Sequence, residues 1–285
     1  MRVRVSPSVI NFKDKLKEVW GLEEWGGLPD PDQDVLFFGL YIKWDYDAYW
    51  AHQGKKTVFW CGSDIINLLN NWEWQRRVRL YPEAKHYCEN EVEQKELESC
   101  GIKSEIVQSF LDDVKKFPVS FKPTDKPHVF MSGHPNREDE YGWGLAQKLA
   151  KRLPEFTFHL YGAGFRGKVN NIIIHGQVPE KDFNEEIRNY HCGLRPNFHD
   201  GFSEIPIKNI LNGGYPITFI PYKNMWNYKT EDELIEQLKR LKDIKEPNTE
   251  GRNYWLKQIN NFPFLNGTTR KVSNNSKRTW KGKRS

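Results

Sequence analysis

The stretch "NYHCGLRPNFHDGFSEIPIKNILNGGYPITFI" (189–220) decides how this chain is read. "HCGLRPN" (191–197) is a strand-like run, "SEIPIKNIL" (203–211) has helical character, and "PITFIPY" (216–222) opens another strand after a glycine turn. Gly201 allows a sharp turn behind the first strand. Ser203 is suited to cap the helix, with Glu204 in its first turn and Pro206 early enough to be tolerated. Helix starts at the carboxyl edge of a parallel sheet offer free N–H groups and a positive dipole end, which suit phosphate. Two readings of this corner stand side by side. Either it faces a ligand, or Glu204 and Lys208, four residues apart, form only a surface ion pair worth about 0.3–0.5 kcal/mol.

Outward from this corner the chain alternates. Strand-like runs at 128–133, 156–162, 171–176, 191–197 and 216–222 are separated by helical stretches. In one of these, Leu145, Leu149 and Leu153 recur four apart on a single face. Thr230 and Glu233 read as a capping box ahead of "LIEQLKRLKD". The first half repeats the rhythm with strands at 34–41, 56–62, 84–90 and 105–111 and helices at 44–53, 63–78 and 91–101, whereas "MRVRVSPSVINF" (1–12) is a poor candidate for an opening strand. "FPVSFKPTDKP" (117–127) carries three prolines and no helical period, and marks the boundary. The expectation is an α/β protein of two Rossmann-like domains, the N-terminal one abbreviated: 1–118 on the acceptor side, 119–248 on the donor side, a C-terminal helix at 249–266 and a basic disordered tail at 267–285.

Composition excludes several classes. At 285 residues, 38% hydrophobic, no apolar run approaches the ~20 residues of a membrane span, so a cytoplasmic protein is the default expectation. Seven of the 43 basic residues fall from Arg270 onward with no acid among them, leaving 36 against 38 acids in the body. That tail could make weak contact with an anionic membrane, and no specific nucleic-acid partner is implied. The four cysteines (Cys61, Cys88, Cys100, Cys192) are widely spaced and read as reduced, packed thiols. "GAGFRG" (162–167) matches a dinucleotide fingerprint, but a strand rather than a helix follows it, so a glycine loop at the sheet edge is the better reading. "DYD" (45–47) has the spacing of an acid pair for a metal, yet in a helix its acids point to different sides. No histidine or cysteine spacing suggests zinc, and no metal or other cofactor is expected.

On these residues, "NYHCGLRPNFHDGFSEIPIKNILNGGYPI" (189–217) resembles the donor-site segment of GT-B glycosyltransferases of the family 4 (glycosyl transferases group 1) type. "VFMSGHPNREDEYGWGLAQKLAKRLPEFTFHLYGAG" (129–164) is similar to the same family's first donor-domain strand, basic loop, long helix, second strand and glycine loop. The resemblance spans roughly residues 34–245. It implies a retaining, metal-independent transfer of a sugar from a nucleotide sugar to a glycan, lipid or protein acceptor. By the same resemblance Asp200 faces the donor sugar and Arg137 neutralises the diphosphate, the two catalytic candidates. Gly201, Phe202 and Ser203 bring amides to sugar and diphosphate, Val178 meets the base, and Gly133, Gly162, Glu204 and Lys208 complete the donor site. The sequence departs from the family at Lys208, where an acid ordinarily accepts ribose hydroxyls, since a lysine accepts no hydrogen bond. The alternative is therefore a catalytically degenerate protein of the same fold, acting as a binding or scaffold module.

Overall fold

The computed structural model describes residues 1–27, 31–134, 136–163, 166–259 and 262–263. The basic tail lies outside them, as do Gly164 and Phe165 of the glycine loop. The chain builds two parallel six-stranded sheets. In the first, β1 (Arg2–Val5), β2 (Glu23–Glu24), β3 (Val35–Phe38), β4 (Lys56–Phe59), β5 (Lys85–Cys88) and β6 (Glu105–Ile106) lie in the order β2-β1-β3-β4-β5-β6. In the second, β7 (His128–Ser132), β8 (Thr157–Tyr161), β9 (Ile172–Gly176), β10 (Cys192–Arg195), β11 (Ile217–Thr218) and β12 (Trp226–Asn227) run β12-β11-β10-β7-β8-β9.

Helices cover both faces, so the strands bury both sides and read as continuous apolar runs. On the first sheet α1 (Lys13–Trp20) packs on one face. On the other lie α2 (Lys43–Ala51), α3 (Ser63–Leu69), α4 (Trp72–Arg79) and α5 (Glu91–Ser99). On the second sheet α6 (Trp143–Arg152) and α9 (Glu231–Arg240) share a core. The opposite face carries α7 (Glu180–Glu186), α8 (Glu204–Leu211) and, outside α8, α10 (Thr249–Gln258). Leu149 and Leu153 are fully buried and Leu145 partly so.

The chain start corrects one expectation. Arg2–Val5 is a strand inside the first sheet, with Arg2 to Val5 opposite Val35 to Phe38. Val3 is buried while the alternate arginines find partners far along the chain: Arg2 donates to the Glu24 carbonyl at 3.1 Å and Arg4 to Asp45 at 2.6 Å. Asp45 also accepts from the Ser6 hydroxyl at 2.6 Å and the Tyr41 and Ile42 amides, which accounts for the first acid of "DYD" as a structural cap.

The second sheet places the site. Its strand order reverses between β7 and β10, and in open α/β sheets the crevice beyond such a switch point is where ligands bind. The corner predicted from the sequence lies there: β10 ends at Arg195, and α8 begins at Glu204 with the Ser203 hydroxyl accepting from the Ile205 amide at 3.3 Å. The corner also touches the other half of the molecule. A Cβ on Gly62, whose φ is +102°, would lie 2.8 Å from the Gly201 nitrogen, and one on Gly201 would overlap the Glu89 carboxyl. Alanine at Gly62 is expected to cost about 1–3 kcal/mol in chemical denaturation, and alanine at Gly201 to lose stability as well. Gly144, inside α6 with nothing within 4 Å, serves as the control; alanine there should gain about 0.5–1 kcal/mol. Equal effects at all three positions would contradict the close approach.

Candidate functional site

Between the carboxyl edges of the two sheets lies a cleft of about 830 Å³. Of the residues singled out from the sequence, Gly133, Arg137, Gly162, Val178 and the run Asp200 to Glu204 all line it, as does Lys208. The first half contributes Ser8, Asn11, Lys15, Tyr41 and Glu89 among others. Gly133 and Gly162 belong together: a Cβ on Gly162 (φ +90°) would lie 2.7 Å from the Gly133 carbonyl oxygen, so the two loops meet backbone to backbone.

The cation nearest the corner is one the sequence reading passed over. Arg195, the last residue of β10, is buried. Its Nε donates to Asp200 Oδ2 at 2.6 Å, its Nη1 to the Ser132 hydroxyl at 2.9 Å, and its guanidinium lies 4.6 Å from the Tyr141 ring centre. It thereby ties β10 to β7 across the switch point. A charge ending an apolar strand immediately before a proline was the available signal. Arg137 is held differently, by a two-pronged pair to Glu140, and its side chain is 37% exposed.

Lys208 is the largest surprise. Its side chain is 1% exposed, and Nζ is surrounded by Glu204 at 2.8 Å, Glu180 at 3.3 Å and Asp112 at 3.8 Å. Lys15, from α1, reaches the same acids: Glu180 at 2.9 Å and Glu204 at 3.2 Å. Burial pushes the Glu204 carboxyl up, but Lys208 and Lys15 outweigh it and hold it below its ordinary value. The Glu204–Lys208 pair, a surface contact in the second of the two readings, is therefore part of a half-buried cluster of five that links the two halves of the chain.

The loop before α8 is gripped from the first sheet's side. Asn90 Nδ2 donates to the Asp200 carbonyl at 2.9 Å, the Phe202 amide donates to Glu89 Oε2 at 2.7 Å, and His199 pairs with Glu96 at 2.8 Å. Ser109 donates to the other Glu89 oxygen through amide and hydroxyl. The Phe202 amide is thus engaged by Glu89, and its ring stacks on Trp255 at 5.0 Å within a core cluster. Burial lifts the Glu89 carboxyl to about 7, against the pull of those hydrogen bonds, and lifts Asp64 to about 7 despite three backbone donors. Glu93, also buried, is raised by burial and then by Glu89; it accepts the Glu89 amide at 2.6 Å, while its Oε1 finds no hydrogen-bond partner among the described residues. Among those residues no group of three or more His, Cys, Asp or Glu side chains is arranged to hold a metal ion, and all four cysteines are free. No helix among them is long and apolar enough to cross a membrane.

Comparison with known proteins bears on the fold. No family model matches the chain, and no curated protein matches it by sequence. Solved structures do. Sucrose-phosphate synthase from Thermosynechococcus elongatus aligns over 89% of this chain and 73% of its own, at 10% identity and a TM-score of 0.61. An E. coli structure described as trehalose-6-phosphate bound with UDP-2-fluoro glucose aligns over 81% and 69%, at 9% identity and 0.58. A variant of S. aureus TarM in complex with fondaparinux, alpha-GlcNAc-glycerol and UDP aligns over 81% of this chain and 53% of its own, at 10% identity and 0.56. This chain spans about half the length of TarM. The two parallel six-stranded sheets are those of the GT-B fold.

Two outcomes follow. Lys208→Glu, which would install the acid found at this position in the resembled family, sets a fourth carboxylate among Glu204, Glu180 and Asp112. The variant is expected to lose about 3–5 kcal/mol in thermal or urea unfolding, and unchanged stability would disprove the buried cluster. Glu89 yields a pH signature. Its native carboxyl titrates near 7 against an ordinary 4.5, so the stability it contributes is complete below 4.5 and is lost as pH rises through about 7. Glu89→Gln should therefore gain on the wild type progressively between those values in urea midpoints, and parallel curves would refute this.

Proposed function

We propose that this chain is a glycosyltransferase, moving a sugar from a nucleoside-diphosphate sugar to an acceptor bound on the first sheet's side of the cleft. The observation that carries the reading is the Arg195–Asp200 pair at the switch point of the second sheet, beside the start of α8 and inside an 830 Å³ cleft. The GT-B neighbours crystallised with UDP or a UDP sugar support a nucleotide donor.

In the proposed reaction the acceptor oxygen bonds to the anomeric carbon as the carbon–oxygen bond to the β-phosphate breaks. The diphosphate departs with the bonding electrons, and the acceptor proton passes to a leaving phosphate oxygen. Charge therefore grows on the diphosphate, and catalysis requires fixed cations and donors there. Arg137 and Arg195 supply the cations, the start of α8 supplies dipole and backbone N–H groups, and Asp200 faces the sugar hydroxyls with Arg195 holding its carboxylate in place. Val178 and Glu180 form the wall where the nucleoside lies, Glu180 and Glu204 offering carboxylate oxygens in place of the missing acid at 208. Retention at the anomeric carbon and independence from metal are read from the resemblance of residues 189–217.

The second reading, a binding or scaffold module, is favoured by Lys208, whose charge is taken up by a structural cluster of acids. Calorimetric titration of UDP, GDP, ADP and CMP, each with its common sugar conjugates, separates the two. The transferase reading expects selective binding of one nucleotide series, about tenfold or more weaker in Arg137→Ala and Arg195→Lys, together with turnover of the bound sugar nucleotide. Binding without any hydrolysis or transfer would establish the module, and a folded wild type silent to all of them would sink the donor site altogether.

A further inference from the structure

We infer that the outer face of α2 and α4 is a docking surface for a membrane rich in anionic phospholipid. The inference goes beyond the transferase reading and does not depend on it. Exposed large apolar side chains are not spread evenly among the described residues. Five of them, Ile42, Trp44, Trp50, Trp72 and Leu80, fall on or beside these two helices. The three indoles are 72%, 51% and 73% exposed, although eight other tryptophans exist in the chain and a folded protein ordinarily hides most of such surface.

The two helices lie side by side. Tyr46 of α2 stacks on Trp74 of α4 at 4.3 Å, Asp47 pairs with Arg77 at 2.6 Å, and the Tyr81 hydroxyl, just past α4, donates to the Trp50 carbonyl at 2.8 Å. These contacts leave a definite outer face. In α4, Trp72, Arg76 and Arg79 recur at i, i+4 and i+7 and are all exposed, while Val78 is buried beneath them. In α2, Trp44 and Trp50 flank Lys43 and Asp47, opposite the buried Tyr46 and Tyr49. The charge on the face is positive: Lys43, Arg76, Arg77 and Arg79 stand against Asp47 and Glu73, and Arg77 takes up both acids while lying 5.3 Å from the Trp50 ring centre.

Indoles, aliphatic tips and guanidinium groups on one convex face are what the headgroup region of a bilayer accepts. The rings settle between water and hydrocarbon, long basic side chains reach back to phosphate, and an anionic leaflet adds attraction. A nucleic acid would use the arginines and could stack on the tryptophans, but it has no use for Ile42 and Leu80. The patch also adjoins the cleft, because Tyr41, the residue before Ile42, lines it.

The test is co-sedimentation of the full-length chain with phosphatidylcholine vesicles prepared with and without phosphatidylglycerol. The wild type should pellet with the anionic vesicles and bind about tenfold or more weakly without them. Trp44→Ser with Trp72→Ser, and separately Arg76→Glu with Arg79→Glu, should each weaken anionic-vesicle binding by about tenfold or more. Both double variants should remain folded: the tryptophan variant should melt with the wild type, because its side chains are exposed, and the arginine variant gives up a 3.4 Å hydrogen bond from Arg79 to the Cys100 carbonyl. A further full-length variant changes Arg270, Lys271, Lys277, Arg278, Lys281, Lys283 and Arg284 to Gln. If it retains binding, the helical face is the site; if it loses binding while the helix variants keep it, the proposal fails. A wild type that stays in the supernatant with both vesicles overturns it too, whether the face then proves to pair two copies of the chain or to hold an oligonucleotide. Nucleotide titration without vesicles should be the same in every variant, so failure here is distinguishable from failure of the donor site.

Discussion

The approach of Gly62 to Gly201 is the constraint on which the rest of the cleft depends. Each glycine comes from a loop at the carboxyl edge of a different sheet, and neither position has room for a side chain. Because the backbones can touch, Glu89 reaches the Phe202 amide, Asn90 reaches the Asp200 carbonyl, and the Tyr222 hydroxyl donates to the Gly201 carbonyl at 3.2 Å. These bonds fix the path of the loop between β10 and α8. Where the loop runs determines where the Asp200 carboxylate stands, and with it the pair to Arg195 and the point at which α8 starts. A buried carboxyl such as Glu89 is costly when charged and unpaired. Here it is matched to three donors, so the junction between the two sheets is specified by polar contacts as well as by packing.

The same loop explains the electrostatic character of the site. Arg137, Arg195, Lys15 and Lys208 each already have an acidic partner within the cleft. A diphosphate entering it therefore meets cations positioned by carboxylates rather than cations awaiting a counter-ion. Under the proposed reading its binding would be an exchange, in which phosphate oxygens take over from Glu140 or share a guanidinium with Asp200. In the proposed transfer such preorganisation would spare the cost of assembling the charges, and it would limit the gain from binding, since one attraction replaces another.

How much of this was legible in the sequence varied with the distance between partners. The corner at 200–204 was legible because its parts are adjacent: a strand, a glycine, a capping serine and an acid in the first turn. Arg2–Val5 was not, because its two inward valines alternate with arginines whose partners lie on β2 and at Asp45. Arg195 was passed over within its strand, since its partner Ser132 is 63 residues away. For Lys208 the i+4 spacing to Glu204 was visible, but its burial follows from Asp112 and Glu180, which arrive only when α7 and the segment after β6 fold against α8. The exposure of the tryptophans of α2 and α4 was not legible either, because residue type alone does not tell a buried indole from an exposed one.

The wall at Val178 and Glu180 rests on a device that shows how polar groups can serve as core. Three histidines on neighbouring strands join edge to edge: His128 Nδ1 to His159 Nε2 at 2.8 Å, and His159 Nδ1 to His175 Nε2 at 2.9 Å. His175 Nδ1 lies 3.3 Å from Glu186 at the end of α7, which also accepts from the Tyr161 hydroxyl. One proton arrangement satisfies the whole row: each ring carries its hydrogen on Nδ1 and accepts on Nε2, with the Glu186 carboxylate as the final acceptor. A second proton on the central ring would make both its nitrogens donors and require His128 to shift its own hydrogen from Nδ1 to Nε2. Burial, with His128 and His175 on either side, accordingly pushes His159 down to about 3. The row joins α7 to β8 and β9 through this chain of ring nitrogens. The side of the cleft at Val178 and Glu180 is thus anchored by a row of imidazoles, and the side at Arg195 and Lys208 by paired charges.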